Sequence, residues 1–422
     1  GRIVNDGLIR KTATSGDYTY LSTPIENRNR IDVQIGTLLM DGVRTGNGDY
    51  TGSAGTTLWF AGGTQTLGTG GSVDTDGTVQ ISAGTMDFNA GSTFRTANAV
   101  LTGGSLNFNS GSNILGIGNQ LQVLGTGVTV STGAARSFSS TSLMSGFIGG
   151  SDTVTLTGAT RWNGGDFRGT GVTNLAGSTL VDGSTKYIYD SRTVNNHGSL
   201  TWRDAGTISA SGLSVFRNLG SATITLEGDG DYSGGTFVNE GTLRKTSGLG
   251  EISDFSTTLT NSGLIEATGG SLFLRSLTNW NPTTRTLSGG RFAVRSNSTM
   301  FLPMQGSISN NDSDITIDGA SSNLLNSDGQ SALRSGLGNS GTMAISNGAN
   351  IEISGSLSNS GTMSVSGGGN ISIGQTLGNT GSMQITNSGT VSVGGALENS
   401  GTVSIASQGS VNVSGSVSNT GT

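Results

Sequence analysis

The chain of 422 residues has no cysteine. That excludes disulfides and every metal site built on thiolates. It has 1 histidine, His197, so any Ser-His-Asp arrangement would have to use that residue. It has 3 prolines against 73 glycines. Charged residues make up only 11%, with a net charge of −6 from 21 basic and 27 acidic side chains. This argues against nucleic acid as the main partner, because neutralising phosphates takes a basic surface. It argues equally against an electrostatic membrane anchor. No apolar run approaches the roughly 18 residues of a membrane-spanning helix. The opening Gly1-Arg2-Ile3-Val4 shows neither Met nor an apolar signal segment, the expectation for a processed form or a piece of a longer protein.

What the chain does have is one phrase written five times. Leu337-Gly-Asn339-Ser-Gly341 recurs as Leu357-Ser-Asn359-Ser-Gly361, Leu377-Gly-Asn379-Thr-Gly381, Leu397-Glu-Asn399-Ser-Gly401 and Val417-Ser-Asn419-Thr-Gly421, always 20 residues apart. Between copies the aliphatics repeat as well. Met343 and Ile345 become Met363 and Val365, and Ile351 and Ile353 become Ile371 and Ile373. Each unit thus holds three short period-two alternations, the mark of strands. Gly, Ser and Asn fill the gaps as turn residues. Three strands and three corners describe one coil of a parallel β-solenoid, stacked on the next at about 4.8 Å. A single coil buries too little to fold alone, so its stability comes from ladders shared with its neighbours. Met343, Ile345, Ile351, Ile353 and Leu357 are the expected core of one coil. Asn339, Asn359, Asn379, Asn399 and Asn419 are expected to stack as an amide ladder. The Gly two residues later is expected to supply a positive φ.

The Asn-x-Gly mark continues backwards through Asn261, Asn239, Asn218 and Asn196 at steps of 22, 21 and 22, and reappears at Asn5. About twenty coils would span the chain, a stack of roughly 100 Å, although residues 40–190 lack the clear mark. A longer repeat is superposed. Val4-Asn5-Asp6-Gly7-Leu8-Ile9-Arg10-Lys11-Thr12 matches Val238-Asn239-Glu240-Gly241-Thr242-Leu243-Arg244-Lys245-Thr246, an offset of 239 − 5 = 234. The chain therefore divides into a first long repeat (1–234), a second and diverging copy with a loop-rich end (235–335), and the regular array (336–422). Pro282 and Pro303 fall in the least regular stretch, where a loop or kink is expected. The strict repeat stops at Gly421-Thr422. An open stack edge is adhesive, so the expectation is a cut chain or continuation by another molecule.

Several segments together resemble the strand-repeat solenoids of large bacterial surface and secreted proteins, the filamentous-haemagglutinin and autotransporter-passenger type. They are Gly55-Thr-Thr-Leu58-Trp59-Phe60-Ala-Gly62-Gly63, Thr160-Arg-Trp162-Asn-Gly-Gly165, Arg192-Thr-Val194-Asn-Asn196-His-Gly198, Phe237-Val-Asn239-Glu-Gly241-Thr-Leu-Arg244-Lys245 and Thr260-Asn261-Ser-Gly263-Leu-Ile265-Glu266. The resemblance covers most of residues 1–280. It implies a right-handed parallel β-helix, in keeping with the handedness of parallel crossovers. It also implies surface display, adhesion, or fibre and biofilm-matrix formation, and it brings no catalytic motif.

Candidate chemistry is sparse. His197 occupies a corner that holds Leu, Glu, Ser or Asp elsewhere. The acidic groups Asp74/Asp76, Glu227/Asp229/Asp231 and Asp312/Asp314/Asp318 lie at corners, as solvated acids, weak Ca²⁺ sites or a glycosidase-like pair. Arg10-Lys11 and Arg244-Lys245 read as a recurring edge position or as lyase bases. Gly367-Gly-Gly369 is not followed by the Lys-Ser or Lys-Thr of a phosphate loop. Trp59, Trp162, Trp202 and Trp280 are either core or sugar-stacking platforms. The expectation is an all-β solenoid of 20–22-residue coils, extracellular or on the cell surface. It would be a non-enzymatic stalk or filament subunit that pairs end to end with itself, without a cofactor. The alternative is a polysaccharide-binding or polysaccharide-cleaving β-helix of the lyase or tailspike kind, with surface glycans as partners.

Overall fold

A computed structural model describes residues 1–13, 18–247 and 252–422. The described residues contain no helix. They form an all-β parallel β-solenoid of about 19 turns with about 21 residues per coil. Contacts divide the chain into two compact units, Gly1–Thr201 with Gly206–Phe216, and Trp202–Ala205 with Arg217–Thr422.

The array at the end of the second unit shows the construction in its simplest form. Each coil has three strands, the first coil's being Leu337–Asn339, Thr342–Ser346 and Asn350–Ile353. Each pairs in parallel with the residue 20 positions on: Asn339 with Asn359, Met343 with Met363, Ile351 with Ile371. This register keeps identical side chains above one another, so alternation along a strand becomes a continuous inner column. Met343, Ile345, Ile351, Ile353 and Leu357 all lie in that interior.

Three corners close each coil of the array, and two of them are set by distinct backbone features. One contains two successive residues in the left-handed region, such as Asn347 and Gly348 (φ 53° and 81°), Gly367 and Gly368 (58° and 74°), and Asn387 and Ser388 (48° and 63°). The other is the Asn-x-Gly corner. Its glycine is not where the positive φ falls: Gly341, Gly361 and Gly381 are not among the left-handed residues. They are required for a different reason. A β-carbon on Gly361 would stand 2.1 Å from the carbonyl oxygen of Gly341, and one on Gly381 would stand 2.2 Å from that of Gly361. The backbones of successive coils approach here too closely for any side chain.

In the first unit the coils are filled differently. Phe88, Phe94 and Phe108 form a buried triad with ring centroids 5.1–5.2 Å apart. Tyr50 packs edge-on against Phe60, and Trp162 lies tilted against Phe167 with centroids 4.6 Å apart. Aromatic volume occupies the interior across the coils that lack the Asn mark. In the second unit the proline-marked stretch leaves the parallel pattern. Trp280–Asn281 pairs antiparallel with Thr286–Leu287, an excursion from one coil. The Asn281 side-chain oxygen accepts the backbone N–H groups of Thr283 and Thr284, holding the loop around Pro282.

Candidate functional site

The repeated asparagines line one inner corner. Asn339 Nδ2 donates to Asn359 Oδ1 at 2.7 Å, Asn359 to Asn379 at 2.7 Å, Asn379 to Asn399 at 2.7 Å, and Asn399 to Asn419 at 2.6 Å. Each amide also donates to a backbone carbonyl of the coil above, Asn359 to Ser382 O at 3.1 Å. Earlier in the second unit Asn218, Asn239 and Asn261 do the same at 2.8 Å. In the first unit Asn5 bonds Asn27 at 2.7 Å. The amides from Asn339 to Asn399 are buried, where an unpaired polar group is costly, while Asn419 is exposed. The ladder has a direction, since every amide donates toward the higher-numbered coil.

The 234-residue repeat reproduces contacts as well as letters. Arg10 Nε holds Asp32 at 2.8 Å, and Arg244 Nε holds Glu266 at 2.6 Å. Asn5 donates to Arg30 O and Asn239 to Leu264 O, both at 3.0 Å. Within the Arg-Lys pair, the arginine lies on the outside and the lysine turns inward. Lys11 Nζ bonds Ala13 O at 2.7 Å and Thr19 Oγ1 at 2.8 Å. Lys245 is fully buried, with Nζ 2.5 Å from both Gly228 O and Asp229 Oδ1.

Most acidic groups act as ties between coils. Asp74 and Asp76 together clasp Arg95. Asp182 holds Arg161 at 2.9 Å and Asp254 holds Arg275 at 2.7 Å. Glu266 takes Arg295 at 2.8 Å as well as Arg244. Burial alone would push the Asp32 carboxyl up, but hydrogen bonds from Thr51 and Arg10 and the charge of Arg30 outweigh it and hold the group below the usual carboxylate range. Asp312 meets Ser340 at 3.4 Å, and Asp318 meets Arg295 at 3.1 Å and Asn347 at 2.6 Å. Among the described residues no group of three or more His, Cys, Asp or Glu is placed to hold a metal ion. His197 sits outside, its Nε2 3.3 Å from Asn174 Oδ1.

The four tryptophans separate. Trp162 and Trp202 are core. Trp59 and Trp280 are partly exposed, and Trp59 donates to Ser82 Oγ at 2.7 Å while meeting the exposed Tyr18 edge-on.

Three features escaped the sequence reading. Arg44 and Arg192 are enclosed cations. The Arg192 guanidinium bonds Thr173 Oγ1 at 3.0 Å, Gly150 O at 2.8 Å and Val172 O at 3.0 Å, and burial pushes it down to about 10. Asp152 is buried beside the Thr132–Gly133 turn and accepts Thr132 N at 2.6 Å and Thr132 Oγ1 at 2.8 Å. Finally, Asp166, Arg168, Tyr187 and Tyr189 gather on one outer face of the first unit. Asp166 lies opposite Tyr187 on the adjoining strand. An arginine at a coil corner reads as solvated in sequence, and residues brought together across irregular coils share no fixed spacing.

No helix among the described residues is long and apolar enough to cross a membrane. Compared with known proteins, the chain matches no family profile, no curated protein and no solved structure.

Proposed function

We propose that the chain is a structural extracellular β-solenoid, a stalk or self-assembling filament subunit of a large bacterial surface adhesin. Its work is mechanical: stiff stacked coils carry load, and end-to-end β contacts extend the stack. The observation that carries this reading is the directional Asn ladder, enclosed within backbone ladders, with arginine–carboxylate ties between coils outside the array. Each rung is small, but around Asn5–Asn27 and Asn239–Asn261 backbone, amide ladder and ion pair join neighbouring coils together, and in the array from 337 backbone and amide ladder do so. A further coil, of this chain or of a second copy, would extend the ladder and cover Ile405 and Val417, which are exposed on the coil Thr402–Asn419.

Electron microscopy of the purified chain across a range of concentrations tests the reading. Unbranched filaments that lengthen with concentration are the expected result. Particles of one size at every concentration would overturn self-assembly and leave the stalk role. Extension at low force in single-molecule pulling would overturn the stalk role too.

A further inference from the structure

On the outer face of the first unit, Asp166 is the odd carboxylate. Asp32, Asp74 and Asp182 in the same unit each hold an arginine. Asp166 is half-buried, yet among the described residues no donor hydrogen-bonds it and no cation pairs with it. Arg168 stands two residues along the same strand face, but its guanidinium lies over the Phe147 ring, 3.2 Å from the centroid. On the adjoining strand Tyr187 lies opposite Asp166. Tyr187 and Tyr189 stand side by side, rings 5.1 Å apart and 14° from parallel. Neither hydroxyl is hydrogen-bonded among the described residues. Burial pushes the Asp166 carboxyl above its ordinary range, with the Arg168 charge opposing and Asp190 adding to the shift. A half-buried carboxylate left unpaired costs stability, so packing does not explain it.

We propose that Tyr187, Tyr189, Asp166 and Arg168 form a binding subsite for a neutral hexopyranose oligosaccharide. The chemistry of each group fits. An aromatic ring meets the C–H face of a pyranose. A carboxylate accepts two neighbouring sugar hydroxyls, which satisfies its lone pairs. The guanidinium adds donors for ring or hydroxyl oxygens. Asp166 and Asp190 against Arg168 leave the patch with net negative charge, which disfavours uronates. Successive coils step by about 4.8 Å, close to the length of one pyranose unit, so a short oligosaccharide can follow the stack from Tyr187 toward Phe147. The second unit offers an internal comparison. There Phe273 and Phe301 stack at 5.0 Å, but Asp254 is already held by Arg275 at 2.7 Å. The proposal stands apart from the scaffold reading, which survives its failure.

The test is titration of the full chain with neutral tetraoses of glucose, mannose and galactose, followed by saturation-transfer NMR and calorimetry, with tetragalacturonate as the charged comparator. At least one neutral tetraose is expected to bind. Asp166→Asn, and separately Tyr187→Ala with Tyr189→Ala, should weaken it by roughly tenfold or more. Asp254→Asn should leave it unchanged. Thermal melts of each variant establish that it is folded. The proposal is overturned if no neutral tetraose binds, if tetragalacturonate binds in preference, or if folded Asp166→Asn binds as the parent does.

Discussion

Replacing Asn359 by Leu removes one rung of the amide ladder from a fully enclosed corner. Asn379 Oδ1 loses its donor, at 2.7 Å in the parent, and Ser382 O loses another at 3.1 Å. Asn339 Nδ2 loses its acceptor but keeps Thr362 O at 3.1 Å. An orphaned buried acceptor costs about 1–3 kcal/mol, and each lost bond roughly 0.5–1.5 kcal/mol more. Leucine burial returns about 1.5–3 kcal/mol, and fitting the larger branched side chain costs ~1–3 kcal/mol. The net destabilisation is about 2–5 kcal/mol. Asn359→Leu with Asn379→Leu is the sharper case. The pair leaves one orphaned ladder amide oxygen, on Asn399, where the two single variants taken together leave two. The double variant should therefore cost less than the sum of the singles by about 1–3 kcal/mol. Hydrogen exchange of strands Leu357–Asn359 and Leu377–Asn379 in the full chain reads this, because solenoid coils open locally. Costs that add, or protection that does not change, would refute a ladder whose rungs depend on one another.

Three further outcomes are expected. Gly361→Ala places a β-carbon 2.1 Å from Gly341 O, and the shift it forces should lower stability by about 1–3 kcal/mol in a thermal or urea melt. An unchanged melt would show that the coils can separate there. Ser388→Gly should have the opposite sign. Ser388 is held at φ 63°, and the same coil position is Gly in the two preceding coils, Gly348 and Gly368. A gain of ~1 kcal/mol is expected from relief of the left-handed penalty, and a loss would show that the Ser388 side chain is needed. Asp166→Asn should raise the melting temperature at pH 7. The folded carboxyl is pushed up by burial, so the folded state binds the proton more tightly than the unfolded one. The parent then loses stability as pH rises above the ordinary carboxylate range of about 4 and keeps that deficit at neutrality. The gain from the variant should vanish in melts below that range, and a gain independent of pH would rule out an ionised, unpaired Asp166.

The array from 337 onward was legible because its register is constant. A fixed step of 20 places Asn on Asn and Ile on Ile, so the stacking could be read from spacing alone. The role of Gly361 was not legible. A glycine at a corner signals either a left-handed φ or a close approach, and only the backbone distinguishes them. Lys245 and Arg192 were hidden because charge in a sequence does not announce burial, and their partners include backbone carbonyls that any residue supplies. The Asp166–Tyr187 pairing was hidden for another reason. From Phe147 to Asp166 is 19 residues, and from Asp166 to Tyr187 is 21. Without a constant step, one residue of slip moves a side chain to the other face.

The 20-residue register is tested most directly with nitroxide labels, which the absence of cysteine makes straightforward. Ser364 and Gln384 are register partners on successive coils, and Ser404 follows on the next. Labels at Ser364→Cys and Gln384→Cys, about 4.8 Å apart at the backbone, should give strong spin exchange. Labels at Ser364→Cys and Ser404→Cys, roughly 10 Å apart at the backbone, should give weaker dipolar broadening. Equal, unbroadened spectra from both pairs would contradict the stacked coil.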